Sequence, residues 1–154
     1  MIKGIFETHI NVSNYKISAE FYEKLLNIIP LYEDSNRKSK FYWIGNPGEA
    51  MFGIRENYPS PEIQRQHFAF KVDVTDIIKA RDYLNKLGIE SENFFGGNSE
   101  ELMVFPFMPA VSIYFTDPDG HSVEFISMLE DKPRPELEIM SWKEWEFIHG
   151  RELQ

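Results

Sequence analysis

Three residues in this chain have the types and the placement to hold a divalent metal ion. His9 stands in THINV and His67 in QHFAFKV, two segments that alternate apolar and polar residues and each lead into a helical pattern. The chain has only four histidines, so two of them at matched repeat positions form a signal. Glu124 lies in a third alternating segment, His121 to Met128. Two imidazole nitrogens and one carboxylate suit a first-row divalent ion (zinc, manganese, nickel or iron) and leave positions open for water or substrate. There is no cysteine, which removes thiolate nucleophiles, thiolate-held zinc and disulfides.

Strand alternation assigns the faces. Ile10 and Val12 should lie under a helix, turning His9 and Asn11 the other way. Phe68, Phe70 and Val72 should pack, leaving His67, Ala69 and Lys71 opposite. Val123 and Phe125 take the packed face of the last strand, so Ser122, Glu124 and Ile126 point inward. The strand before it offers Ser112, Tyr114 and Thr116 on one face.

The elements that must position these residues repeat. Ile5 to Val12 reads as a strand, and Asn14 to Ile28 as a helix capped by Ser13 or Asn14, with Ile17, Phe21, Leu25 and Ile28 as its apolar face and Pro30 as its stop. Strands follow at Leu31 to Asp34, Lys40 to Ile44 and Ala50 to Arg55. The second round has a strand from Gln66 to Val72 and a helix from Asp73 to Leu87, with Gly88 as C-cap. Then come Ile89 to Phe95, a glycine turn at Gly96-Gly97, and strands at Leu102 to Phe105, Ala110 to Thr116 and His121 to Met128. This predicts an α+β fold of two tandem βαβββ modules, about 4–57 and 64–128, forming a cupped mixed sheet in a single domain of 1–130. An extension, 131–154, carries a short helix from Ser141 with an apolar stripe of Trp142, Trp145, Phe147 and Ile148.

Composition narrows the classes. At 154 residues, 42% hydrophobic and 27% charged, the chain suits one globular domain. A net charge of −9 repels phosphate backbones and acidic membranes, so neither nucleic acid nor membrane is an expected partner. The basic cluster Arg37, Lys38 and Lys40 reads as a solvated loop. No signal peptide or membrane-length apolar run is visible, and the expected location is cytoplasmic.

FTDPDGHSVEFISM (Phe115 to Met128) resembles the closing hairpin of the vicinal-oxygen-chelate superfamily, the glyoxalase, bleomycin-resistance, fosfomycin-resistance and extradiol-dioxygenase group. THINVSNYKISAEFYEKLL (Thr8 to Leu26) is similar to its opening strand and helix, and QHFAFKVDV (Gln66 to Val74) to the start of its second module. The resemblance implies paired βαβββ modules and a divalent metal held by His9, His67 and Glu124. It also implies a homodimer as an expectation, since in some members the cup forms within one chain and in others halves from two chains combine. Two departures stand out. Glyoxalase I has a fourth ligand, a Glu on the last strand of the first module, and the matching place here falls near Phe52 or Gly53, with Glu49 and Glu56 as distant substitutes. The Thr that commonly stands two residues beyond the first His in the thiol transferases is here Asn11.

Asn11, Arg55, Tyr114 and Thr116 are the candidate substrate-binding residues, Arg55 for an anionic group and Tyr114 and Thr116 for an oxyanion. Asp117 and Asp119 read as turn formers, and His121 should be exposed. Phe105 to Pro109 forms an apolar loop. Two functions follow. One is a metal-dependent glyoxalase-like enzyme (lyase or isomerase, thiol transferase or dioxygenase) acting on a small oxygenated substrate; no general base is identified. The other is a metal-free protein of the bleomycin-resistance type that sequesters a small molecule in an aromatic-lined cleft.

Overall fold

In the first βαβββ repeat, alternation sets strand β1 (Glu7–Val12), with Ile10 and Val12 buried as its parity requires. Helix α1 (Tyr15–Leu26) starts at Asn14, whose side chain accepts hydrogen bonds from the Lys16 and Ile17 amides, and ends on Asn27 in the left-handed region, before Pro30 is reached. Its buried face is Tyr15, Ser18, Ala19, Tyr22 and Leu25. Of the expected face only Leu25 is buried, while Ile17 is exposed. The tyrosines displace the aliphatic residues because their rings fill the core while their hydroxyls find acceptors: Tyr22 donates to Asp117 at 2.7 Å and Tyr15 to Glu33 at 3.3 Å. Strands β2 (Tyr32–Asp34), β3 (Ser39–Ile44) and β4 (Ala50–Glu56) complete a sheet of order β1-β4-β3-β2. β1 runs parallel to β4; the other pairs are antiparallel.

The computed structural model describes residues 1–96 and 101–151. Gly97 of the expected glycine turn lies outside them. The chain divides into two compact units, the first being 1–66 with 117–121, the second 67–116 with the rest of the chain from 122.

The second unit repeats the pattern. Its elements are β5 (His67–Lys71), α2 (Val74–Ile77), α3 (Ala80–Lys86), β6 (Ser91–Glu92), β7 (Met103–Phe105), β8 (Ala110–Thr116), β9 (Ser122–Met128), β10 (Met140–Ser141) and α4 (Trp142–Ile148). Sheet order is β10-β7-β8-β9-β5, with β6 also on β8, so β5-β9-β8-β7 reproduces the order of the first sheet. The tandem α+β arrangement is thus present as two mixed sheets. The single helix expected over 73–87 is broken at Ile78 and Lys79, where the β-branched run Val74, Thr75, Ile77 and Ile78 disfavours continuous helix. Ile77, Ala80 and Leu84 nevertheless form one buried face. Of the strand expected over 89–95 only β6 forms.

The short β10, not legible in the sequence, pairs with β7 and delivers Ser141 as a capping box with Glu144 at the start of α4. Of the expected stripe on α4, Trp145 is fully buried, and Phe147 and Ile148 are exposed. Trp145 donates its indole N–H to Asp131 at 2.9 Å, and Arg151 clasps the same carboxylate with two bonds of 2.7 and 2.8 Å. No helix among the described residues is long and apolar enough to cross a membrane.

Candidate metal centre

In the second unit, parallel pairing of β5 with β9 sets His67 opposite Ser122 and Ala69 opposite Glu124. Antiparallel pairing of β8 with β9 sets Tyr114 beside Glu124. Glu124 is only 4% exposed. Its Oε2 lies 3.1 Å from His67 Nε2. The other ring nitrogen, Nδ1, is 3.2 Å from both the carbonyl and the hydroxyl of Ser122. A carbonyl only accepts, so this bond puts the ring proton on Nδ1 and aims the Nε2 lone pair at the carboxylate. That opposition is relieved by a proton on Nε2 or by a cation shared between the two side chains.

Glu124 Oε1 is buried with no hydrogen-bond partner among the described residues. An orphaned carboxylate oxygen in the interior is costly unless a cation satisfies it. Two donor atoms each about 2.1 Å from one ion at right angles stand about 3 Å apart, close to the spacing of Nε2 and Oε2. These residues fit a divalent ion.

Tyr114 borders this pair, its ring 5.7 Å from the His67 ring. Burial pushes the phenol well above its ordinary range; the Ser112 hydroxyl opposes this and the Glu124 carboxylate adds to it. It therefore stays protonated and able to donate at neutral pH. A cavity of about 300 Å³ opens here, lined by His67, Ser122 and Tyr114 at one side and by Glu92, Asn93 and Phe94 at the other. Thr116, beside Ser122 on β8, is exposed.

In the first unit His9 lies opposite Gly53, its ring 5.2 Å from that of Phe41 and its Nε2 against the Glu7 carboxylate. A methyl on Gly53 would stand 2.6 Å from His9 Cδ2, so the imidazole rests on a surface only glycine provides. Asn11 uses both ends of its amide on the backbone, donating to the Ser60 carbonyl at 2.7 Å and accepting from the Tyr58 amide at 2.8 Å. Arg55, opposite Asn11, lies over the Tyr58 ring at 3.4 Å.

The structure thus brings His67 and Glu124 together, with Tyr114 beside them, and places His9, Asn11 and Arg55 on one face of the other unit's sheet. Among the described residues no group of three or more His, Asp or Glu side chains is assembled to hold a metal.

Two sequence readings are corrected. His121 is fully buried rather than exposed: Nδ1 accepts from the Gln66 amide at 3.0 Å and Nε2 donates to the Asn11 carbonyl at 2.7 Å. Its turn packs within the first unit, and Asp117 and Asp119 do more than form the turn. Asp117 accepts from Tyr22, and Asp119 from the Ser13 amide at 3.1 Å. Glu49 and Glu56, the distant substitutes for a fourth ligand, are engaged locally by Asn46 and by Lys38 with the Tyr15 amide. The supports of the histidines, Glu7, Gly53 and Ser122, went unread. For Glu7 the signal existed, since residues two apart on a strand share a face.

Comparison with known proteins agrees with this architecture. The chain is 33% identical to metallothiol transferase FosB of Staphylococcus haemolyticus over 135 residues, 86% of this chain and 89% of the relative. It is 26% identical to FosB of Staphylococcus saprophyticus over 153 residues, 94% of each. Among solved structures, an integron cassette protein from the mobile metagenome of a Halifax Harbour sewage outfall superposes with a TM-score of 0.68 at 32% identity, covering 82% of this chain and all of the other. Fosfomycin resistance protein FosX of Listeria monocytogenes does so with a TM-score of 0.60 at 25% identity, covering 81% and 91%. Residues 4–125 match the family model described as Glyoxalase/Bleomycin resistance protein/Dioxygenase superfamily, and the chain belongs to that superfamily.

Proposed function

We propose that this protein is a metal-dependent enzyme of the glyoxalase-like class that acts on a small oxygenated substrate, and that within the class it transfers a thiol. His9, His67 and Glu124 are the proposed ligands of a divalent ion, His9 coming from the same chain or from a second copy of it. The observation that carries this reading is Glu124, a carboxylate 4% exposed with one oxygen facing an oriented imidazole and the other without a partner. The ion, when bound, supplies electrophilic stabilisation of negative charge developing on a substrate oxygen.

The chain's own residues do the rest. Ser122 fixes the His67 tautomer that leaves Nε2 free to ligate. Tyr114, kept protonated by its surroundings, offers an O–H to a substrate oxygen in the cavity beside His67. Phe94 supplies an apolar wall that holds the substrate out of bulk water. The similarity to proteins named metallothiol transferase supports a thiol as co-substrate.

The test begins with metal content by inductively coupled plasma mass spectrometry, on untagged protein purified without chelator or added metal. Wild type should carry near-stoichiometric first-row metal, and the His67→Ala and Glu124→Gln variants should lose it. Loss of free thiol is then followed with fosfomycin as the electrophile; it should require metal and vanish in His67→Ala. A wild-type protein that neither holds nor takes up metal would sink this reading in favour of metal-free sequestration.

A further inference from the structure

On β1 and β4 His9 lies opposite Gly53 and Asn11 opposite Arg55, so strand parity puts the Asn11 and Arg55 side chains on the face that carries His9.

Arg55 is also held in an unusual way. Asn11 binds the Tyr58 amide and the Ser60 carbonyl, which fixes the segment carrying the Tyr58 ring. The guanidinium lies over that ring at 3.4 Å, so the ring sets its plane. Stacking occupies a face and leaves the N–H donors on the edge free. Among the described residues no carboxylate pairs with it; the adjacent Glu56 is committed to Lys38 and to the Tyr15 amide. In a chain of net charge −9, a half-buried arginine without an acidic partner is the exception.

We propose that Arg55 is a receptor for an oxyanion group of a small ligand, a carboxylate, phosphonate or phosphate, which its forked donors bind through two oxygens. Asn11 and Tyr58 are positioning residues: Asn11 spends its amide on the backbone and acts through Arg55. Anion binding stands independently of the metal, whereas its place in the reaction, as the anchor of an anionic substrate, rests on the metal-dependent reading.

The test uses full-length protein stripped of metal, with inorganic phosphate, methylphosphonate and acetate titrated separately by calorimetry at low ionic strength. At least one should bind wild type, and the one that does names the source of the oxyanion. Arg55→Gln should weaken it roughly 10- to 100-fold, the loss of a charge-assisted bidentate contact, without lowering the melting temperature. Asn11→Ala should weaken it less, and the Asn11→Ala/Arg55→Gln double variant should match Arg55→Gln alone. Wild type that binds none of the three, or Arg55→Gln that binds as tightly as wild type, overturns the proposal. Metal content on the same preparations reports separately on the metal reading.

Discussion

The imidazole of His9 packs against Gly53, so closely that a methyl group there would sit 2.6 Å from its Cδ2. A glycine with ordinary backbone angles in mid-strand normally weakens a sheet; here it makes room for a side chain. Replacing Gly53 by Ala should push the ring aside, together with Phe41, which lies 3.1 Å from the same position. We expect a modest stability loss of about 1–3 kcal/mol and a fall of roughly 10- to 100-fold in metal affinity. Metal titration of the variant checks this; unchanged affinity would remove His9 from the ligand set.

His121 satisfies a backbone donor and a backbone acceptor from a fully buried position. His121→Phe keeps the bulk but orphans the Gln66 amide and the Asn11 carbonyl. Each orphaned group costs about 1–3 kcal/mol, so a loss of roughly 2–5 kcal/mol is expected in denaturant unfolding. A change below about 1 kcal/mol would mean that the two backbone groups find other partners.

Asp131 ties the C-terminal helix down. Its carboxyl is lowered to about 2, first by the Arg151 hydrogen bonds, with Trp145 adding to the effect. A folded-state pKa below the unfolded one means that the unfolded chain takes up the proton first. The stabilisation is therefore complete above pH 4 and lost as pH falls toward 2. Discounted for its partial solvent access, it amounts to roughly 1–2 kcal/mol. Asp131→Asn should be less stable than wild type at pH 7 and converge on it near pH 2, as read by melting temperature against pH.

Three tyrosines are held protonated. Burial leads at Tyr22, Tyr42 and Tyr114, with Asp117, Glu23 and Glu124 respectively raising each further. A raised phenol means that the unfolded chain loses its proton first, so this contribution is intact below pH 10 and declines as pH rises beyond it. The native protein should show only part of its seven tyrosines titrating in the phenolate absorbance band between pH 9 and 11.5, the remainder appearing on unfolding. All seven titrating together in the native state would contradict it.

Much of this was legible in one dimension because strand parity is local. Which face His9, His67 and Glu124 occupy follows from a period of two, and the burial of Ile10, Val12, Val123 and Phe125 bears that parity out. The Asp-Pro-Asp-Gly turn and the Ser141 cap are likewise short-range chemistry, readable without a partner strand. Register is different, because it belongs to a pair of strands. No single segment reveals that Arg55 stands opposite Asn11, or that Glu124 meets His67 and leaves an oxygen unpartnered. The face of α1 and the burial of His121 were also decided in three dimensions. There, hydroxyl and ring nitrogens found buried acceptors and donors far along the chain, and those bonds outweighed the local apolar pattern.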